Sequence, residues 1–140
     1  MQNTTRYLFC SLLLLLACST EKYQAGQLPE EQLHFGNGGG FAGAHEKYIL
    51  LENGQLFHRS GTEGTLQSAG KVSERQARRL FEQARSINKQ GQAAFKHPGN
   101  LYYFIEWVDA EGNLRWTWGD PNHPVSPEVA NLYESLRELP

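Results

Sequence analysis

The dipeptide Asn53-Gly54 constrains this chain more than any other feature. It sits between two strand-like runs, Lys47 to Glu52 and Gln55 to Ser60. Asn-Gly tolerates positive φ at both central positions of a type I′ turn, so the pattern predicts a tight β-hairpin. That turn sets Leu50 opposite Phe57 and Leu51 opposite Leu56, which puts apolar side chains on both faces and requires a cover for each. A second hairpin is predicted from Leu101 to Val108 and Leu114 to Trp118, joined by Asp109 to Asn113 with Gly112 in the turn. Between the hairpins, Ser73 is an N-cap with Gln76 three residues on, and Ala77, Leu80, Phe81, Ala84 and Ile87 form one stripe of helical period. A shorter helix closes the chain, with Ser126 as cap, Pro127 in the first turn and Val129, Leu132, Tyr133, Leu136 and Leu139 on its inner face. Hairpins without a βαβ repeat predict an α+β fold. Its antiparallel β-sheet would be built from two hairpins, packed with one main helix and a short C-terminal helix.

The N-terminal region is of another kind. A polar leader with Arg6 precedes the apolar run Tyr7 to Ala17. The run is too short for a membrane-spanning helix, which needs about 20 residues, and has the form of a secretory signal peptide. Leu15-Leu16-Ala17-Cys18 resembles the lipobox of bacterial lipoproteins, in which the cysteine is acylated and becomes the new N-terminus. The resemblance implies a signal peptide over 1–17, lipidation at Cys18 and membrane attachment through acyl chains. Ser19 is non-acidic, which in such lipoproteins goes with transfer to the outer membrane, so the expected location is the cell envelope. Residues 18–32 (CSTEKYQAGQLPEEQ) lack periodicity and read as a flexible tether, leaving 33–140 as a single globular domain. Cys10 and Cys18 are the only cysteines, so no disulfide is expected in the processed protein. Removing the leader takes the net charge from −2 to −3, which gives no general attraction to phosphate backbones, and no nucleic-acid partner is expected.

Two segments could carry a site. Gly38-Gly39-Gly40-Phe41-Ala42-Gly43 spells G-x-G-x-x-G, but a strand follows where the dinucleotide fingerprint needs a helix. The segment is either a plain turn or a loop whose bare backbone approaches a partner. In the second case Gly39, Gly40, Phe41 and Gly43 are the binding residues and Phe41 the anchor. The alternative is Trp116-Thr117-Trp118-Gly119-Asp120-Pro121-Asn122-His123-Pro124, which brings two same-face indoles to an acid and an imidazole. His97-Pro98 would leave the same end of the hairpin, giving His97, Trp116, Trp118, Asp120 and His123 as an alternative small-ligand or glycan site. Its bland counterpart has both indoles in the core and Asp120 capping a turn. His45-Glu46 lacks the second histidine of a zinc-protease motif, since Ile49 stands in its place. Histidines 34, 45, 58, 97 and 123 show no close ligand spacing along the chain, so neither a metal nor a cofactor is expected. Ser60 and Ser68 lack the G-x-S-x-G context of an activated nucleophile, so no catalytic residue is assigned.

Gly39, Gly40, Phe41 and Gly43 at the domain start, with Pro127, Leu132 and Leu136 near its end, resemble the emfourin group. Those are small bacterial inhibitors of thermolysin-like metalloproteases. The resemblance implies a non-enzymatic binding module whose glycine-rich loop engages a protease. The Asn53-Gly54 arm, the Trp-Gly-Asp-Pro loop and the lipid anchor depart from that pattern. The chain also resembles small envelope lipoproteins of Gram-negative bacteria, which leaves a structural role without a discrete site as a third expectation.

Overall fold

The computed structural model describes residues 22–140; the leader, the lipobox and Cys18 lie outside the described residues. The fold is α+β. Seven strands form one sheet: β1 (Gln32–Gly39), β2 (Ala44–Leu50), β3 (Gln55–Ser60), β4 (Gln67–Lys71), β5 (Phe95–His97), β6 (Leu101–Asp109) and β7 (Gly112–Trp118). Two helices, α1 (Glu74–Lys89) and α2 (Pro127–Arg137), complete the described elements. The strand order is β4-β3-β2-β1-β6-β7-β5, antiparallel throughout except that β5 runs parallel to β7. Among the described residues no helix is long and apolar enough to cross a membrane.

Both helices start where the capping residues place them. The Ser73 hydroxyl accepts from the Gln76 N–H at 3.1 Å, and the Ser126 hydroxyl accepts from the Val129 N–H at 3.4 Å. All five stripe residues of α1 are buried, as are Val129, Leu132, Tyr133 and Leu136 of α2. They cover one sheet face, where Leu33, Phe35, Leu50, Leu56, Ile105 and Trp116 meet them.

The first hairpin is shifted by one residue from the sequence expectation. Leu50 pairs with Leu56 and Ile49 with Phe57. The Gly54 N–H donates to Leu51 O at 2.9 Å and the Leu51 N–H to Gln55 O at 3.0 Å, so the turn is a three-residue loop with a bulge rather than a two-residue type I′ turn. Because side chains alternate, this shift decides the faces: Leu50 and Leu56 join the helix-side core, while Ile49, Leu51 and Phe57 form a second apolar cluster on the back.

What covers that second cluster comes from the segment expected to be a flexible tether over 18–32, of which residues 22–32 are described. Tyr23, Leu28 and Leu66 pack against it. The Tyr23 N–H donates to Gln55 Oε1 at 2.7 Å, and Gln55 Nε2 donates back to Tyr23 O at 3.0 Å. Further on, Glu31 accepts two hydrogen bonds from Arg85, at 2.9 and 2.6 Å, and one from Trp107 Nε1 at 3.0 Å. Tyr23 to Glu31 is therefore docked on the domain, because its isolated apolar side chains fill the exposed end of the back face. The rest of that face is sealed by its own residues. Phe104 is fully buried, stacked against His45 at 5.7 Å and capped by the Arg115 guanidinium 4.0 Å above its ring. A Cβ on Gly36 would stand 1.9 Å from Glu46 O, and one on Gly38 would stand 2.5 Å from the Tyr102 hydroxyl oxygen, so both positions need glycine.

β5 lies between α1 and the second hairpin, and it is the strand that matters most for the site. Three residues at the sheet edge carry no readable period, yet Phe95 pairs with Trp116 and His97 with Trp118.

Candidate functional site

The loops at one end of the sheet bring both sequence candidates together. β1 ends and β2 begins there, β6 starts there, and β5 and β7 both finish there. Gly39 closes β1, opposite Ala44 and Leu101. The Gly40 N–H donates to Asn100 O at 2.7 Å, and the Gly43 N–H donates to Gly40 O at 3.1 Å, closing the tip. Phe41 stands at this tip fully exposed, and Leu101 on the adjoining strand is 60% exposed. A Cβ on Gly40 would lie 3.1 Å from Leu101 Cδ2, so tip and strand are neighbours. The glycine cluster is thus part strand and part turn, without a helix behind it, and it lacks the frame of a phosphate loop.

Next to this tip lie the residues of the alternative site, in part. Trp116 is buried in the core, and Trp118 is half-buried against Tyr103 and Tyr133, with ring centroids at 6.0 and 5.1 Å. The two indoles are therefore packing residues on the helix side, and Trp116 presents no surface to a ligand. The polar members do converge. His123 Nδ1 lies 2.8 Å from Asp120 Oδ2, and the His97 and His123 rings stack at 4.2 Å with 13° between their planes. Phe95 flanks the other neighbour of that stack, 4.8 Å from His97. Asp120 Oδ1 accepts from the Asn122 N–H at 2.9 Å. That backbone N–H, and after it His123, hold the Asp120 carboxyl below the ordinary range, so it is ionised at neutral pH.

Linear spacing gave no sign of a histidine cluster, because His97 and His123 are brought together by the parallel pairing of β5 with β7. The loops that carry them cross backbone to backbone. The Asp120 N–H donates to His97 O at 3.1 Å, and a Cβ on Gly99 would stand 2.5 Å from Gly119 O. Only glycine allows that approach. A signal was present in the sequence as Pro98-Gly99 and Gly119-Asp120, each beside a strand end, but their contact needed the strand order.

His97 and His123 are exposed, and Asp120 is half-buried between them and the strand ends. A cleft of about 300 Å³ opens elsewhere, beneath the end of α2, between Asn37, Tyr48, Tyr103, Tyr133 and Arg137. Tyr133 lies at its wall, its hydroxyl donating to Gly36 O at 3.2 Å. The sequence matches no protein-family model and no curated protein.

Proposed function

We propose that this chain is a lipid-anchored binding module of the bacterial cell envelope, non-enzymatic, which engages a protein partner through the tip at Gly39 to Gly43. The observation that carries the reading is Phe41. A large aromatic side chain fully exposed in the turn between β1 and β2 costs solvation without supporting the core, and beside the exposed Leu101 it makes an apolar spot of the kind that anchors interfaces. The emfourin resemblance names the first partner to test, a thermolysin-like metalloprotease.

The test is inhibition of such a protease by the full chain and three variants, with circular dichroism as the folding control. Phe41→Ala should weaken inhibition about 30-fold or more, the loss of a 2 kcal/mol anchor. Gly40→Val should weaken it as well, since φ at Gly40 is +76° and a β-branched side chain resists that conformation. Asp120→Ala should leave inhibition unchanged. No inhibition by the unaltered chain would remove the protease from the proposal. Loss in Asp120→Ala alone would shift recognition to the neighbouring loop.

A further inference from the structure

We infer that His97, Asp120 and His123 form a site for a divalent transition metal of the zinc class, held by two imidazole nitrogens and one carboxylate oxygen. One ligand atom from each of the three side chains lies within 4.8 Å of the other two. Around a metal with bonds of about 2.0–2.2 Å, neighbouring ligand atoms stand about 3–3.5 Å apart. His123 Nδ1 and Asp120 Oδ2, at 2.8 Å, are already close to that spacing. The proton between them occupies the place an ion would take. Binding displaces that proton from Nδ1, to the other nitrogen of the ring or to solvent, and the carboxylate turns from hydrogen-bond acceptor to ligand. His97, exposed at the end of β5, has to leave its stack on His123 and turn until the planes of both rings meet at the ion, which brings its nitrogen about 1 Å closer.

The ligand set suits borderline ions. Imidazole nitrogen selects zinc, copper and nickel over the hard ions that prefer all-oxygen sites. Three protein ligands leave room for water, the arrangement of an open site rather than a closed structural one. Preorganisation comes from outside the three residues. The Asn122 N–H holds Asp120 Oδ1 so that Oδ2 faces His123, and Gly99 and Gly119 let the two loops meet backbone to backbone. The site is separate from the proposed protein-binding tip, and either can fail without the other.

The probe is zinc ion, titrated calorimetrically into the metal-stripped full chain. One equivalent should bind with micromolar or better affinity. His97→Gln and His123→Gln should each weaken it 50-fold or more and Asp120→Asn 10-fold or more, while His58→Gln, remote from the cluster, leaves it unchanged. Because His97 and His123 are exposed and Asp120 is only half-buried, at the sheet end and outside the core, the variants should melt with the unaltered chain when metal is absent. A measurement on the unaltered protein guards against misfolding: long-range ¹⁵N–¹H spectra should show zinc shifting the imidazole nitrogens of His97 and His123 and no others. Zinc affinity weaker than millimolar, or shifts at other histidines with His97 and His123 unmoved, would overturn the assignment.

Discussion

Glu106 shows how much one half-buried charge settles on the back of the sheet. Its carboxylate meets His34 Nδ1 at 3.4 Å, Arg115 at 3.2 Å and Asn113 Nδ2 at 2.7 Å. The contact with His34 is foremost, with Asn113 and Arg115 adding to it, and together they bring the Glu106 carboxyl down to about 2. His34 is displaced in the same direction for another reason: burial opposes its protonation, and the nearby Lys47 and Arg115 charges add to that. In both cases the unfolded chain takes up protons before the folded one does, so acid favours unfolding. Stability should start to fall as pH drops below 6.5, where unfolded His34 protonates, and fall further from 4.5 towards 2 as unfolded Glu106 does. Glu106→Gln should cost about 1–3 kcal/mol at pH 7 and flatten the lower part of that dependence. Thermal melts of both proteins at pH 7, 5 and 3 measure it; parallel pH profiles would show that Glu106 contributes no such linkage.

At the scale of elements, the back face depends on a segment that belongs to no helix or long strand. Tyr23→Ala combined with Leu28→Ala should lower stability by about 2–3 kcal/mol, because each uncovers part of Ile49, Leu51 and Phe57. Urea unfolding gives the number, and a change below about 0.5 kcal/mol would mean that the segment only rests on the surface. The same region shows where sequence reasoning reached and where it stopped. The stripe from Ala77 to Ile87 and the caps Ser73 and Ser126 were legible, since helical period and capping are local chemistry. The need for a second cover was legible too, from apolar groups on both sides of the Asn53-Gly54 turn. The cover itself was not: Tyr23 and Leu28 are single apolar residues among polar ones, with no period to mark them. Nor was the register, which hinged on one extra residue in the turn. β5 and the meeting of His97 with His123 needed a long-range parallel pairing that no local pattern encodes.

For the whole molecule, the proposal of a lipid anchor rests on Cys18 and is tested there. Cys18→Ala should abolish labelling by a radiolabelled or alkyne fatty acid and leave unprocessed precursor on a gel. Labelled, processed protein from that variant would exclude the lipoprotein reading. The sheet otherwise divides its labour between its ends. The end near Asn53 receives the N-terminal segment through Gln55, and the opposite end gathers the Phe41 tip and the His97, Asp120 and His123 loops.

If Cys18 is acylated as proposed, docking of the segment from Tyr23 onward limits how the domain can face the membrane. Four residues separate Cys18 from Tyr23, a leash that reaches at most about 14 Å when fully extended. The leash enters at the Gln55 end, and β2 with its seven residues spans about 24 Å from there to the far loops. The molecule would stand on the bilayer like a short post, its foot at Tyr23 and its Phe41 crown turned outward. Partners would then be met at a fixed height above the headgroups, within a small search volume, rather than swept up by a domain on a long tether.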